Sequence, residues 1–317
     1  MDDYLSCQST QGGTFVNLMR DSGFKAVYAD RDNKQLLIEL LNFFLPEDVK
    51  VSDIEMYLDR EQDPEVESGK RTYLDLICKG EDGSVFSVEV QQEGEKWIFE
   101  RCMYYGCDIY RNQISSGDYY SELKPLYIIC ILGKNYPHQD ESEWDENNLI
   151  SHYKFTETRT KEFAPSTIII NFVETARFTK TLEACESHCD YLLYWFLNGW
   201  KYDVNGIPEV LKDIPEVKQL SAACEIAAFS PAKRTLYNRS VMKEQDVINQ
   251  LYYAKEEGLA EGRKEGREEG LAEGKEEGKT EERLEIAKKM LEANSPIDFI
   301  CQMTGLSEEE VLKLKSE

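Results

Sequence analysis

The chain has 317 residues, 41% hydrophobic and 11% aromatic, enough to build a sizeable core. Its 61 acidic residues against 37 basic ones give a net charge of −24, which argues against nucleic-acid binding by bulk electrostatics, since phosphate affinity comes mainly from Lys and Arg. No window holds the roughly 18 consecutive apolar residues of a membrane span, and Met1-Asp2-Asp3-Tyr4 does not open a secretory signal. Nine scattered cysteines, several inside apolar runs (Cys78, Cys130, Cys224), suit a reducing cytoplasm better than a disulfide framework.

Residues 1–20 are polar and weakly patterned. A helix is predicted from Asn33 to Leu45, closed by Pro46, with Asp32 or Asn33 as N-cap. Val49 to Tyr57 reads as a first strand. Tyr73–Cys78 and Val85–Gln91 read as two more, joined by a turn. Residues 94–114 show helical spacing through Trp97, Phe99, Met103, Tyr104, Ile109 and Tyr110. Pro125–Leu132 is a continuous apolar run, as expected of a strand covered on both faces. The order helix, three strands, helix, strand predicts an α/β sandwich with a mixed sheet. Residues 135–165 form a polar excursion, and Ser166–Phe172 is another strand. From 179 to 255 the reading is helical, with an apolar cluster at Tyr191, Leu192, Leu193, Trp195, Phe196 and Leu197.

After Ala254 the composition changes. Gly258, Gly262, Gly266, Gly270, Gly274 and Gly278 recur every four residues, each preceded by Glu. A repeat of four stays near one helical face, drifting about 40° per step. Each interior Gly costs a helix roughly 1 kcal/mol relative to Ala. The expectation is a solvated, mobile helical rod that gains stability against a partner, with a flexible charged linker as the other reading. Residues 283–317 read as ordered: an amphipathic stretch at Ile286–Leu291, a helix from Ile297 to Met303, and another opened by a Ser307/Glu310 capping box. Short helices about a Gly-containing turn resemble a helix-turn-helix. Glu308, Glu309 and Glu310 favour a packing or dimerisation module over DNA reading.

The chemistry concentrates in the hairpin. Asp75 and Glu89 are acids that a plain core strand would avoid, and buried carboxylates call for a compensating cation. Two strand carboxylates on a divalent metal are the working part of many phosphodiester-cutting enzymes. Alternation groups Ser87, Glu89 and Gln91 on one face of their strand, and Tyr73, Asp75 and Ile77 on one face of theirs. A three-residue loop, Glu81-Asp82-Gly83, pairs Gly80 with Ser84 and sets Asp75 opposite Glu89, with Gly83 at the left-handed position. A slip of one residue would send the two acids to opposite faces. The competing reading is a surface hairpin with solvated acids on its polar face.

From Phe24 to Leu132 the chain resembles the PD-(D/E)xK nuclease family transposases, or recombination-promoting nucleases. The matching pieces are Phe24-Lys25-Ala26-Val27-Tyr28, Asn33–Asn42, Gly69–Asp75, Phe86–Gln91, Arg101-Cys102-Met103-Tyr104-Tyr105 and Tyr120–Pro125. The Gly-Glu tail and the terminal Thr304–Glu310 are also similar to the family's C-terminal regions. The resemblance implies a restriction-endonuclease-like core, an α/β fold whose mixed sheet is flanked by helices, with a helical C-terminal extension. It implies DNA cleavage dependent on Mg²⁺, for which Mn²⁺ substitutes. It places Asp75 and Glu89 as metal ligands, with the backbone carbonyl of Val90 completing the set. Gln91 stands where the wider superfamily has Lys, and Leu74 replaces the motif proline. Neutral Gln can hydrogen-bond water or substrate but supplies no charge, so slower turnover or heavier reliance on the metal is expected. Glu39, on the first helix, is a candidate further metal ligand, with a rim acid as the other reading.

The organisation expected is a nuclease-like core over 1–175, a helical part over 176–254, the Gly-Glu segment over 255–282, and a small helical module over 283–317. Cys185, His188 and Cys189 have part of a zinc spacing but no second pair follows, which favours plain helix cysteines. Lys25, Lys70, Arg71, Lys96, Arg101 and Arg111 lie near the expected site as candidate phosphate contacts, though each individually reads more readily as a surface charge. The functional expectation is a DNA endonuclease of recombination or mobile elements that homo-oligomerises through its C-terminal region and has no membrane association. The rival is an inactive nuclease fold serving as an interaction module.

Overall fold

The computed structural model describes residues 14–57, 76–92, 94–145, 147–164 and 167–316. The chain divides into two compact units, Met1–Met242 and Lys243–Glu317.

In the first unit, helix α1 (Asp21–Tyr28) buries Phe24, Val27 and Tyr28. Helix α2 (Lys34–Phe44) buries Leu36, Leu37, Leu40, Leu41 and Phe44, and ends where Leu45 turns extended before Pro46. Asn33 stands at the N-cap position, as expected, but makes no side-chain cap bond: its amide donates instead to the Val27 carbonyl, and Asp30 caps a short turn at Arg31–Asn33. Six strands follow: β1 (Ile54–Tyr57), β2 (Leu76–Gly80), β3 (Val85–Gln91), β4 (Leu126–Leu132), β5 (Ile150–Tyr153) and β6 (Ile168–Glu174). They form one mixed sheet in the order β1-β2-β3-β4-β6-β5. The β3–β4 and β4–β6 pairs are parallel and the others antiparallel. With helices on both faces, this is the α/β, restriction-endonuclease-like architecture expected of the sequence.

Two departures have physical causes. The first strand begins at Ile54 rather than Val49, because the Asn42 side chain bonds both backbone groups of Val51 at 2.9 Å and holds that segment off the ladder. The polar excursion contains β5, too short to register as a strand in the sequence, which closes the sheet edge against β6.

Parallel pairing of β3, β4 and β6 requires cover on both sides, and the core is split accordingly. On one face Phe86, Val88, Val90, Ile129, Ile131 and Val173 pack with α1, α2 and helices α4 (His188–Asn198) and α6 (Pro215–Cys224). The intervening α5 (Glu209–Lys212) buries Leu211. On the other face Val85, Ile128, Cys130, Ile170 and Phe172 pack with Ile98 and Cys102 of the β3–β4 crossover helix, α3 (Ile98–Arg111). Gly106 sets how closely α3 lies: a Cβ there would stand 2.7 Å from Ile128 Cδ1.

Helix α7 (Pro231–Glu292) runs through the Gly-Glu segment as 62 helical residues. In the second unit its end packs with α8 (Ile297–Thr304) and α9 (Glu308–Ser316) around Ala287, Ile300, Leu306 and Val311. The expected capping box forms: the Ser307 N–H donates to Glu310 Oε2 at 2.7 Å, and the Glu310 N–H to Ser307 Oγ at 3.3 Å. Among the described residues no helix is long and apolar enough to cross a membrane.

Candidate active site

The β2–β3 hairpin fixes which side chains meet. Its turn is held by Gly80 N–H to Ser84 O at 2.8 Å, by Gly83 N–H to Gly80 O at 3.0 Å, and by the Asp82 carboxylate accepting from Ser84 N–H at 2.9 Å. Gly83 has φ +86°, the left-handed conformation required of it. Leu76 faces Val88, Ile77 faces Ser87, Cys78 faces Phe86 and Lys79 faces Val85. That is the register the three-residue loop demands. Asp75 lies outside the described residues.

Alternation on β3 turns Ser87, Glu89 and Gln91 toward the α3 side of the sheet, while Val88 and Val90 enter the opposite core. Glu89 is 6% exposed on this central strand. A lone carboxylate there would be severely penalised, and its compensation comes from Arg101, just inside α3. Arg101 Nη2 donates to Glu89 Oε1 and, at 3.2 Å, to Gln91 Oε1; Nη1 pairs with Glu95. Glu89 Oε2 is buried without a hydrogen-bond partner.

The electrostatics follow from this layout. Burial, with smaller contributions from Glu95 and Asp21, raises the Glu89 carboxyl to about 7 against the opposing pull of Arg101 and Lys25. Burial works against the Arg101 charge, but Glu89 and Glu95 outweigh it and raise its pKa. Asp21 and Lys25, paired with each other at 2.9 Å on α1, thus belong to the electrostatic surroundings of Glu89. Tyr105, one turn after Arg101, has its phenol raised by burial and by Glu89 and Glu95, against the pull of Arg101.

The amide of Gln91 is oriented by chemistry. Arg101 has only donors, so the Gln91 oxygen must face it, and the amide presents only N–H groups elsewhere. Glu39 is half-buried on α2. One of its oxygens accepts from Gln35 at 3.3 Å and the other is buried without a hydrogen-bond partner. Among the described residues no hydrogen bond or ion pair joins Glu39 to Glu89.

The residue that sequence reasoning undervalued is Arg101, read as a surface charge and found locked between Glu89 and Gln91. Its signal was available. Ile98, Cys102 and Gly106 mark the buried face of α3, which sets Arg101 beside that face at the height of the strand acids. The cysteines of the zinc spacing depart from the buried helix pair expected: Cys185 is buried but precedes α4 and bonds the Thr181 carbonyl, Cys189 lies in α4 but is exposed, and His188 faces Glu216. Among the described residues no three His, Cys, Asp or Glu side chains converge to hold a metal, so a ligand set at Glu89 is incomplete without Asp75. The unpartnered, buried Oε2 of Glu89 fits a hard cation, which prefers carboxylate oxygen.

A family model described as PD-(D/E)XK nuclease family transposase matches residues 18–254. A second, described as the C-terminal HTH domain of the Rpn/YhgA-like nuclease family, matches residues 280–316, over helices that resembled a helix-turn-helix in the sequence but were favoured there as a packing or dimerisation module. No curated protein matches the chain, and no solved structure matches it.

Proposed function

The chain belongs to the PD-(D/E)XK nuclease family transposases, which gives it a nuclease or recombination-related role, and from that premise we propose that it is a Mg²⁺-dependent DNA endonuclease hydrolysing phosphodiester bonds. The observation that carries the reading is the environment of Glu89: a buried carboxylate with one oxygen on Arg101 and the other unpartnered, on the central strand of the sheet.

Asp75, Glu89 and the backbone carbonyl of Val90 would hold the metal, and Mn²⁺ would substitute. The register that the sequence reading of Asp75 and Glu89 requires, Leu76 facing Val88, is the one found in the described part of the hairpin, which supports that reading. Glu39 is a further candidate, on the strength of its unpartnered buried oxygen. A bound divalent cation lowers the pKa of its water and neutralises developing phosphate charge.

The protein's own residues supply the rest. Arg101 provides the positive charge that Gln91 lacks, and holds it beside the carboxylate where a scissile phosphate would lie. With its oxygen on Arg101, Gln91 donates to a substrate oxygen rather than accepting from the attacking water. The burial that raises Glu89 to about 7 leaves it part-protonated near neutral pH, so metal binding there would release a proton. With a net charge of −24, DNA attraction falls to such local cations rather than to the surface as a whole, and the helix-turn-helix family match over residues 280–316 supports a second DNA contact.

Purified protein incubated with supercoiled plasmid and Mg²⁺ or Mn²⁺, beside Asp75→Ala and Glu89→Ala, tests the reading. Nicking by the parent alone is expected. Equal nicking by all three would mean a contaminant. The rival reading, an inactive fold that assembles other components, draws on the same Arg101–Glu89 pair taken as a structural ion pair, and predicts no nicking by any of them. We assign self-association to the C-terminal region. Light scattering after deletion of residues 255–317 should show a smaller assembly, and an unchanged mass would remove that role.

A further inference from the structure

We propose that the outer stripe of α3 stacks unpaired nucleobases, so that the DNA taken by this site has single-stranded character beside the scissile phosphate. This rests on the nuclease reading and names its substrate class. Along α3 the buried face is Ile98, Cys102 and Gly106. Beside that face lie Trp97, Arg101, Tyr104 and Tyr105, whose i, i+4, i+7 and i+8 spacing makes one stripe. Arg101, in the middle of it, reaches Glu89 and Gln91. On either side of Arg101, Trp97 and Tyr104 are each 59% exposed.

Trp97 at the N-cap of α3 and Tyr104 within it thus leave two large rings in water beside the residue that contacts Glu89. Both have neighbours that hold them. Lys96 Nζ sits 4.9 Å from the Trp97 ring centroid, and Tyr104 meets Tyr105 edge-on at 5.7 Å and 62°. Seven residues separate the two rings, about 10 Å along a helix axis. That matches about three steps of a stacked strand at ~3.4 Å each.

Charge decides what such a surface takes. The helix carries Glu100 and Asp108 with Arg101 and Arg111, within a chain of net charge −24, so phosphate attraction cannot dominate. Stacking needs no charge and accepts any base, because every base has a π-face. A duplex keeps those faces covered and an unpaired strand presents them. A protein partner is disfavoured by Arg101 and Glu100 between the rings, since charged residues are depleted at the centres of protein interfaces.

The test is fluorescence anisotropy of labelled oligodeoxythymidylate and of a duplex of equal length, in EDTA, with the full chain and the variants Trp97→Ala, Tyr104→Ala, Trp97→Phe and Tyr104→Phe. The parent should bind the single strand more tightly than the duplex. Each alanine should weaken single-strand binding about ten-fold or more while duplex binding holds, and each phenylalanine should retain most of it. Parent-like single-strand binding by both alanine variants, a preference for duplex, or no measurable single-strand binding by the parent would overturn the stacking surface. Plasmid nicking by the parent and Glu89→Ala, run in parallel, reports on the nuclease separately. Nicking without single-strand preference overturns the stacking surface alone; the preference without nicking upholds that surface and overturns the nuclease.

Discussion

Helix α3 and the Gly-Glu stretch of α7 are both helical and both carry glycine, yet they exist for opposite reasons. In α3 tertiary contact decides everything. Gly106 is there because Ile128 leaves no room for a Cβ, and Arg101 is there because Glu89 needs a cation. In α7 residues 251–280 are exposed all round, and a Cβ at any of the six repeat glycines would meet nothing within 4 Å. Its glycines satisfy no local steric demand and weaken the helix on intrinsic propensity. A glycine, or a charge, therefore has meaning only through what surrounds it, and the same substitution should have opposite effects in the two places.

The largest effects belong to the buried end of that comparison. Replacing Arg101 by Ala should lower the nicking rate about 10²- to 10³-fold, the cost of losing a fixed charge aimed at a developing one. Arg101→Lys should recover part of it, because charge returns without the fork whose Nη2 serves Glu89 and Gln91 while Nη1 serves Glu95. A rate unchanged by Arg101→Ala would leave the guanidinium a purely structural partner. Next in size is Glu89 itself. Its folded-state pKa of about 7 lies above the ordinary 4.5, so the folded chain holds a proton that the unfolded chain gives up. That contribution is fully present below about pH 4.5 and is lost as pH rises through about 7. Glu89→Gln should then stabilise the metal-free protein by roughly 1–3 kcal/mol near pH 8, and by little near pH 4. Urea unfolding at the two pH values checks this, and a stabilisation no larger at the higher pH would contradict the assigned burial cost.

The hairpin and the central sheet were legible in the sequence for local reasons. Gly83 and the two-residue alternation fix the register that pairs Leu76 with Val88 and turns Glu89 to the α3 side, and the continuous apolar run at Leu126–Leu132 announces cover on both sides. Less legible was whatever depends on distant partners. Asn42 binding Val51 shortens β1 by a side-chain bond that no propensity reports. Arg101 looked like one of several surface cations because its partners lie 10 and 12 residues upstream, on a different element. Among the described residues the acids near Glu89 include Asp21 of α1, whereas the sequence nominated Glu39 of α2. Choosing between two amphipathic helices requires knowing how each docks on the sheet.

The smallest predicted effects test the comparison most directly, because one substitution is made at both sites. Gly106→Ala removes chain entropy from the unfolded state and adds helix propensity, which alone would stabilise. It also pushes a methyl to 2.7 Å from Ile128 Cδ1, and overpacking of that kind costs about 1–3 kcal/mol. The net should be a loss of stability in urea unfolding. Gly266→Ala meets open space, so only the propensity acts, worth about 1 kcal/mol locally. That gain should appear as increased helical circular dichroism and slower amide exchange in residues 251–280, without any shift in the unfolding of the sheet. If Gly266→Ala lowered helicity, or changed the mass measured by light scattering, the repeat glycines would be making close contact with a partner copy. The free helix described here would then be only half of the assembled element.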